Sequence, residues 1–345
     1  MIRQSKWHPI GWFLFWLVVL STPVDVLSIH AGVTPPMLSR INMWCPGLAA
    51  VITSLQLRLP LTLLGLRSPR RRFGVAGYFI PWGYALPVYV LVWAWIPGAF
   101  DWASYVAAQA STYRIANHPG IFAALFGIPS TLTFGVLSTV VWTLGEELGW
   151  RGFLSPRLAA IIGVTRSGLV VGLIWAVWHF PILLGADYNA GTPPAYAVTC
   201  FTVMVVAMGV VMAWLRQASG SVWPCVIMHA SHNIIVQAVL DPMTVRGGHA
   251  VYVTTEFGWG MALTQVLVAA FFVARGSTWW GRMPPEDRPH VPVVDALATS
   301  HPDASRTEQG WPRRLARSES EGWKSIGERV DRDRSSKISA DQWKH

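Results

Sequence analysis

Charge is what this sequence has least of. Only 13% of its 345 residues are Asp, Glu, Lys or Arg, against about 25% in ordinary soluble domains. Acids are scarcest: Asp25, Asp101, Glu146, Glu147, Asp187, Asp241 and Glu256 are the seven before position 281, and the other eleven follow it. Cysteine is nearly missing too. Cys45, Cys200 and Cys225 lie in apolar stretches and form no CxxC pair, which excludes a disulfide framework. There is no GxxxxGK[ST] phosphate loop, no HExxH zinc motif and no repeat of fixed period, so the familiar nucleotide-binding, zincin and solenoid classes fall away.

What is present is apolar length. Hydrophobic residues make up 52% of the chain, and a membrane-spanning helix needs about 20 consecutive, mainly apolar residues. Eight stretches qualify, near 10–28, 42–64, 75–96, 121–145, 167–185, 195–215, 222–240 and 257–275. The first has a basic start (Arg3, Lys6) and no small-residue cleavage site behind it, so it reads as a retained anchor. The fold class expected is therefore all-α: a polytopic membrane bundle of about eight transmembrane helices over residues 1–280. Prolines 81, 87 and 129 inside these stretches are compatible with membrane helices, where neighbours satisfy freed backbone groups.

The formal charge of +9 raises the question of nucleic acid, and its distribution argues against that partner. Twelve of the 27 Lys and Arg sit among the eleven late acids, so the last 65 residues are near neutral. The others mostly flank apolar segments. The even-numbered connections carry Arg67, Arg70, Arg71 and Arg72, then Arg151, Arg157 and Arg166, then Arg216, with Arg275 and Arg282 after the eighth stretch. With eight spans these loops share one side, the cytoplasm by the positive-inside rule, and both termini lie there; a bacterial plasma membrane is the expected location. Residues 281–345 are rich in Pro, Ser and charge with no sustained apolar stripe, and read as a disordered cytoplasmic tail. Its Trp311, Trp323 and Trp343 are expected to be solvated.

Three polar clusters interrupt the later spans. The first is Gly145-Glu146-Glu147-Leu-Gly-Trp150-Arg151, with adjacent carboxylates at the expected end of the fourth span. Glu147 and Arg151 are four apart, so a helix brings them together as an ion pair. Glu146 projects about 100° away, towards the bundle, where it is free to act as a base. The bland alternative is a charge cluster capping a helix end. The second is Trp175-Ala-Val-Trp178-His179-Phe-Pro181; Trp175 and His179 share a face, and Pro181 is expected to disturb the helix just beyond. A polar group so deep in a span suggests function, although a lone histidine also serves as a packing residue. The third is His229-Ala-Ser231-His232-Asn233, with His229 and Asn233 on one face and His232 on a neighbouring line, read as structural hydrogen bonding. Together the clusters could hold water against Glu146 and His179 while His229 and Asn233 steady an oxyanion. The same residues could instead bind zinc through Glu146, His179 and His229.

Glu146-Glu147-x-x-x-Arg151, Trp175-x-x-x-His179 and His229-x-x-x-Asn233, each on its own apolar span, resemble the three motifs of the CPBP membrane proteases, named for CAAX proteases and bacteriocin-processing enzymes and also called the Abi family. The resemblance covers about residues 138–240. Trp175 stands where Phe is frequent, a change expected to affect packing more than chemistry. The resemblance implies an intramembrane endopeptidase in which Glu146, assisted by His179, activates water for attack on a peptide carbonyl. It also implies that Arg151 and Glu147 steady the site and that His229 and Asn233 stabilise the oxyanion. Members are classed as metalloendopeptidases, while the prenyl-protein endopeptidases they resemble have been argued to work through glutamate alone; we expect no obligatory metal. The implied partners are the bilayer and a protein or peptide substrate, with or without a lipid attached. Two other readings stand beside this one: a non-proteolytic scaffold or bacteriocin-immunity protein retaining the polar pocket, and a transporter coupling protons through Glu146 or Glu147.

Overall fold

The computed structural model describes residues 6–186 and 188–281, with side chains as far as residue 275. The disordered tail expected after Trp280 lies almost wholly outside the described residues. Among those residues the chain is helical throughout, and its single β-type contact is an isolated bridge between Phe100 and Thr244. The helices are α1 (His8–Ala31), α2 (Pro36–Gln56), α3 (Arg71–Trp95), α4 (Trp102–Tyr113), α5 (the continuous run Pro119–Ile162), α6 (Val164–Gly185), α7 (Pro194–Ser219), α8 (Trp223–Asn233, prolonged by a π-helical stretch Ile234–Leu240) and α9 (Trp259–Gly281). All but α4 overlap the eight expected stretches, although α2 ends at Gln56, short of the expected 64. Five of them, α1, α3, α5, α6 and α7, are long and apolar enough to cross a membrane.

Local sequence explains the boundaries. Proline stands in the first turn of α1, α2, α5, α7 and α8, where no intrahelical N–H bond is lost. Gly32 and Gly220 close α1 and α7 with φ of 66° and 64°, the left-handed conformation favoured by glycine. Pro181 lies inside α6, which runs on only as far as Gly185.

Large side chains face outward where a soluble protein would place polar ones. Phe15, Phe79, Phe126, Phe134, Leu137 and Leu184 are all exposed, Phe134 at 71%. An apolar exterior on this scale fits hydrocarbon rather than water. The chain is an integral membrane helix bundle. At its centre α7 packs against α6 and α9 with Met204, Met208 and Met212 fully buried.

Two expectations need correction at α5. The fourth span was expected to end at about residue 145, with the glutamates at its edge. Instead the helix continues through a fully buried π-helical segment, Leu148–Leu154, and on to Ile162. The helix can carry these charges inward because each finds a partner. Arg151 pairs with Glu147; Arg157 donates to the Phe153 carbonyl at 2.8 Å and lies 3.6 Å over that ring. Arg151 and Arg157 are thus buried structural cations rather than loop charges, and Arg216 donates to the Arg151 carbonyl at 2.9 Å. The side assignment then rests on Arg67 to Arg72, Arg166 and Arg275.

Candidate functional site

The π-helical turn at Leu148–Leu154 lies against α2, whose backbone approaches closely. A Cβ on Gly145 would stand 2.7 Å from the Met43 carbonyl oxygen, and one on Gly149 would stand 2.5 Å from Pro46. Only glycine permits that approach. It sets Glu146 and Glu147, between the two glycines, deep inside the bundle at 3% and 0% exposure.

The two carboxylates then diverge, as their 100° separation requires. Glu147 Oε1 accepts from Arg151 Nη1 at 2.9 Å and from His229 Nδ1 at 3.0 Å. The ion pair expected from the i, i+4 spacing is present, with a histidine from α8 added to it. Glu146 Oε2 accepts from Trp175 Nε1 at 2.8 Å and from Trp150 Nε1 at 3.4 Å. Arg151 lies 4.4 Å over the Trp175 ring, so the two glutamates are braced through one tryptophan. Trp175 therefore does more than pack. Phenylalanine there would offer Glu146 no N–H, which corrects the expectation that this position affects packing more than chemistry.

His179 lies one turn deeper on α6. Its Nδ1 is 2.9 Å from the Trp175 carbonyl, and a carbonyl only accepts, so Nδ1 carries the proton and Nε2 is the basic atom of the neutral ring. In the same way, Glu147 accepts a hydrogen bond from His229 Nδ1–H, which leaves Nε2 as that ring's second site. Glu146, His179, His229 and Asn233 line one cavity of about 250 Å³. Glu146 lies well inside α5, and the cavity it shares with His179 lies there with it.

His232, read as structural, is hydrogen-bonded to Tyr84 and Glu256, and it also lines the cavity. Its Nδ1 meets the Tyr84 hydroxyl at 2.8 Å and its Nε2 meets Glu256 Oε1 at 2.9 Å, while Tyr188 donates to Glu256 Oε2 at 2.7 Å. Burial alone would raise the Glu256 carboxyl, but the hydrogen bonds and charge of His232 and the bond from Tyr188 bring it down to about 2. Glu256 also lines the cavity, and sequence reasoning missed it. Its one signal was being an acid just before an apolar stretch. Just before it, Thr255 has a positive φ of 60° and donates its N–H to the Tyr89 hydroxyl at 2.9 Å, a strained turn of the sort found near functional sites.

The set named for a metal was Glu146, His179 and His229. Among the described residues no three His, Cys, Asp or Glu side chains are grouped to hold an ion. In this arrangement the three side chains are not grouped as a metal cage.

The fold and site define a class: an intramembrane helix bundle that gathers glutamate, histidine and asparagine from three helices around an internal cavity. Residues 128–235 match the family model described as type II CAAX prenyl endopeptidase Rce1-like. The chain is similar to the CAAX prenyl protease 2 of Methanococcus maripaludis, at 26% identity over 73 residues. That alignment covers 20% of this chain and 27% of the relative.

Proposed function

We propose that this chain is an intramembrane endopeptidase acting on a membrane-associated protein or peptide, of the CAAX-processing type. The observation that supports it best is the convergence of Glu146, His179, His229 and Asn233 on one cavity with Glu147 and Arg151 directly behind. In this reading water lies between the Glu146 carboxylate and His179 Nε2. Its oxygen bonds to the substrate's carbonyl carbon as its proton passes to Glu146, assisted by His179. The carbonyl electron pair moves onto oxygen, which accepts N–H bonds from His229 Nε2 and Asn233 Nδ2. For this the His229 ring carries both protons, its charge balanced by Glu147 at 3.0 Å. Collapse breaks the C–N bond, and the proton held by Glu146 passes to the leaving amine. Ile182, Phe201, Met204 and Met208 on the same wall suit an apolar group carried by the substrate, such as an S-prenyl chain.

Both termini are proposed to face the cytoplasm of a bacterial plasma membrane, on the strength of the Arg67 to Arg72 cluster.

The test is cleavage of an S-farnesylated C-terminal peptide by the purified protein in nanodiscs. Glu146→Gln and His179→Ala are expected to lower kcat by about 10²–10⁴-fold, with thermal midpoints close to wild type. Equal activity in all three proteins rejects the assignment. Chelation adds a second arm. Activity that survives EDTA supports water activation by Glu146; loss restored by zinc would recast Glu146, His179 and His229 as ligands.

A further inference from the structure

The cavity has a wall that the three motifs do not supply. Thr34, Ser39, Asn42 and Met43, from the α1–α2 turn and the first turns of α2, line it and lie outside the matched region 128–235. Asn42 is 6% exposed, and its Nδ2 donates to Asp25 Oδ1 on α1 at 3.1 Å. An ionised carboxylate only accepts hydrogen bonds, so Asp25 fixes the orientation of the amide. Asn42 Oδ1 must then be the atom left over. It is buried and has no partner among the described residues, and the same holds for Thr34 Oγ1. Asn42 Oδ1 can only accept and so calls for a donor, because a buried polar atom without a partner is costly, and the Thr34 hydroxyl beside it can accept a hydrogen bond as well as donate one.

The wall has a consistent chemistry. Ser39 and Asn42 are three apart on α2 and so share a face, with Thr34 just before the helix. An extended peptide presents N–H groups from alternate residues along one edge. It is thus a natural source of donors for a short row of oxygens facing a peptide-cutting site. We infer that Asn42, held by Asp25 and flanked by Thr34 and Ser39, forms a subsite that accepts hydrogen bonds from main-chain amide N–H groups of the substrate. Asn42 here positions substrate, and Asp25 positions Asn42. The inference rests on the endopeptidase reading for the identity of its ligand, but not for its geometry.

Binding and cleavage are therefore measured separately. The probe is a fluorescein-labelled, S-farnesylated peptide, together with analogues in which each non-scissile amide in turn becomes an ester. Each replacement deletes one N–H. Binding to the full chain in nanodiscs is read by anisotropy, and cleavage by separation of the products. One ester position is expected to weaken binding to wild type by about fivefold to tenfold, the size of one hydrogen bond, and to raise KM with little change in kcat. Asn42→Ala should weaken the all-amide peptide by a similar factor and show no further loss with that ester. Wild type carries the test alone if Asn42→Ala fails to fold, because esters tolerated at every position overturn the inference. So do ester and Asn42→Ala penalties that multiply. Peptide that binds with this dependence but is never cut supports the subsite and rejects the endopeptidase reading; peptide cut without this dependence does the reverse.

Discussion

Trp175 carries more of this site than its place in a motif suggests. Its indole N–H reaches Glu146 at 2.8 Å, its ring lies under Arg151, and its carbonyl fixes the tautomer of His179. The first two depend on the side chain and the third on the backbone, so substitution separates them. Trp175→Phe keeps an aromatic face for Arg151 and leaves the His179 bond in place, but removes the shorter of the two donors to Glu146. A hydrogen bond to a charged group contributes about 1.5–3 kcal/mol. The expected result is a fall in kcat/KM of about 10–100-fold with a modest change in thermal midpoint, read by steady-state cleavage and a melting curve in detergent. Unchanged kcat/KM would mean that the indole N–H does not orient Glu146. This part of the site was half legible. The i, i+4 spacing gave the Glu147–Arg151 pair because a helix makes such neighbours unavoidable. The shorter donor to Glu146 comes from another helix 29 residues away, which spacing along the chain does not encode.

At the scale of elements, the site depends on how closely α2 approaches α5. Gly145 and Gly149 flank the glutamates, and a Cβ at Gly149 would meet Pro46 side chain and backbone at 2.5–2.7 Å. Backbone cannot yield as a flexible side chain tip can. Gly149→Val should force the two helices apart, with a loss of about 1–3 kcal/mol or more and a displaced Glu146, seen as a lowered midpoint together with lost cleavage. Gly11→Ala is the contrast. Gly11 lies inside α1 with nothing within 4 Å of an added Cβ, so the gain in helix propensity should leave stability equal or higher by about 0.5–1 kcal/mol. A Gly149→Val protein as stable and active as wild type would remove the close crossing from the explanation. The glycines stood in plain view beside the glutamates, but what they meet was not, since Met43, Trp44 and Pro46 lie about a hundred residues earlier.

For the molecule as a whole, orientation is the testable property. The three cysteines, Cys45, Cys200 and Cys225, are all buried, so an impermeant maleimide should label introduced thiols without background. Ser68 and His118 are exposed and flank α3 and α4 on connections expected to face opposite sides. In intact cells Ser68→Cys should stay unlabelled until permeabilisation and His118→Cys should label at once; the reverse pattern would invert the topology. Burial of Arg151 and Arg157 makes this experiment more informative than further counting, because those two cations report on packing instead of sidedness.

Sequence alone determined that this chain is a helical bundle in a membrane, because scarce charge and runs of about 20 apolar residues admit few other solutions. It also determined which polar residues stand out, since ionisable groups in apolar helices are conspicuous. Tertiary structure decided where those groups lie and what else joins them. It carried the glutamates past the expected end of their span by giving Glu147 an ion pair with Arg151 and Glu146 the indole N–H groups of Trp150 and Trp175. It turned Asn42 and Glu256, which lie outside every motif, into cavity wall. The physical reason is that helical periodicity fixes neighbours within a turn or two, whereas a cavity is assembled from side chains on helices whose contact depends on the packing of the whole bundle.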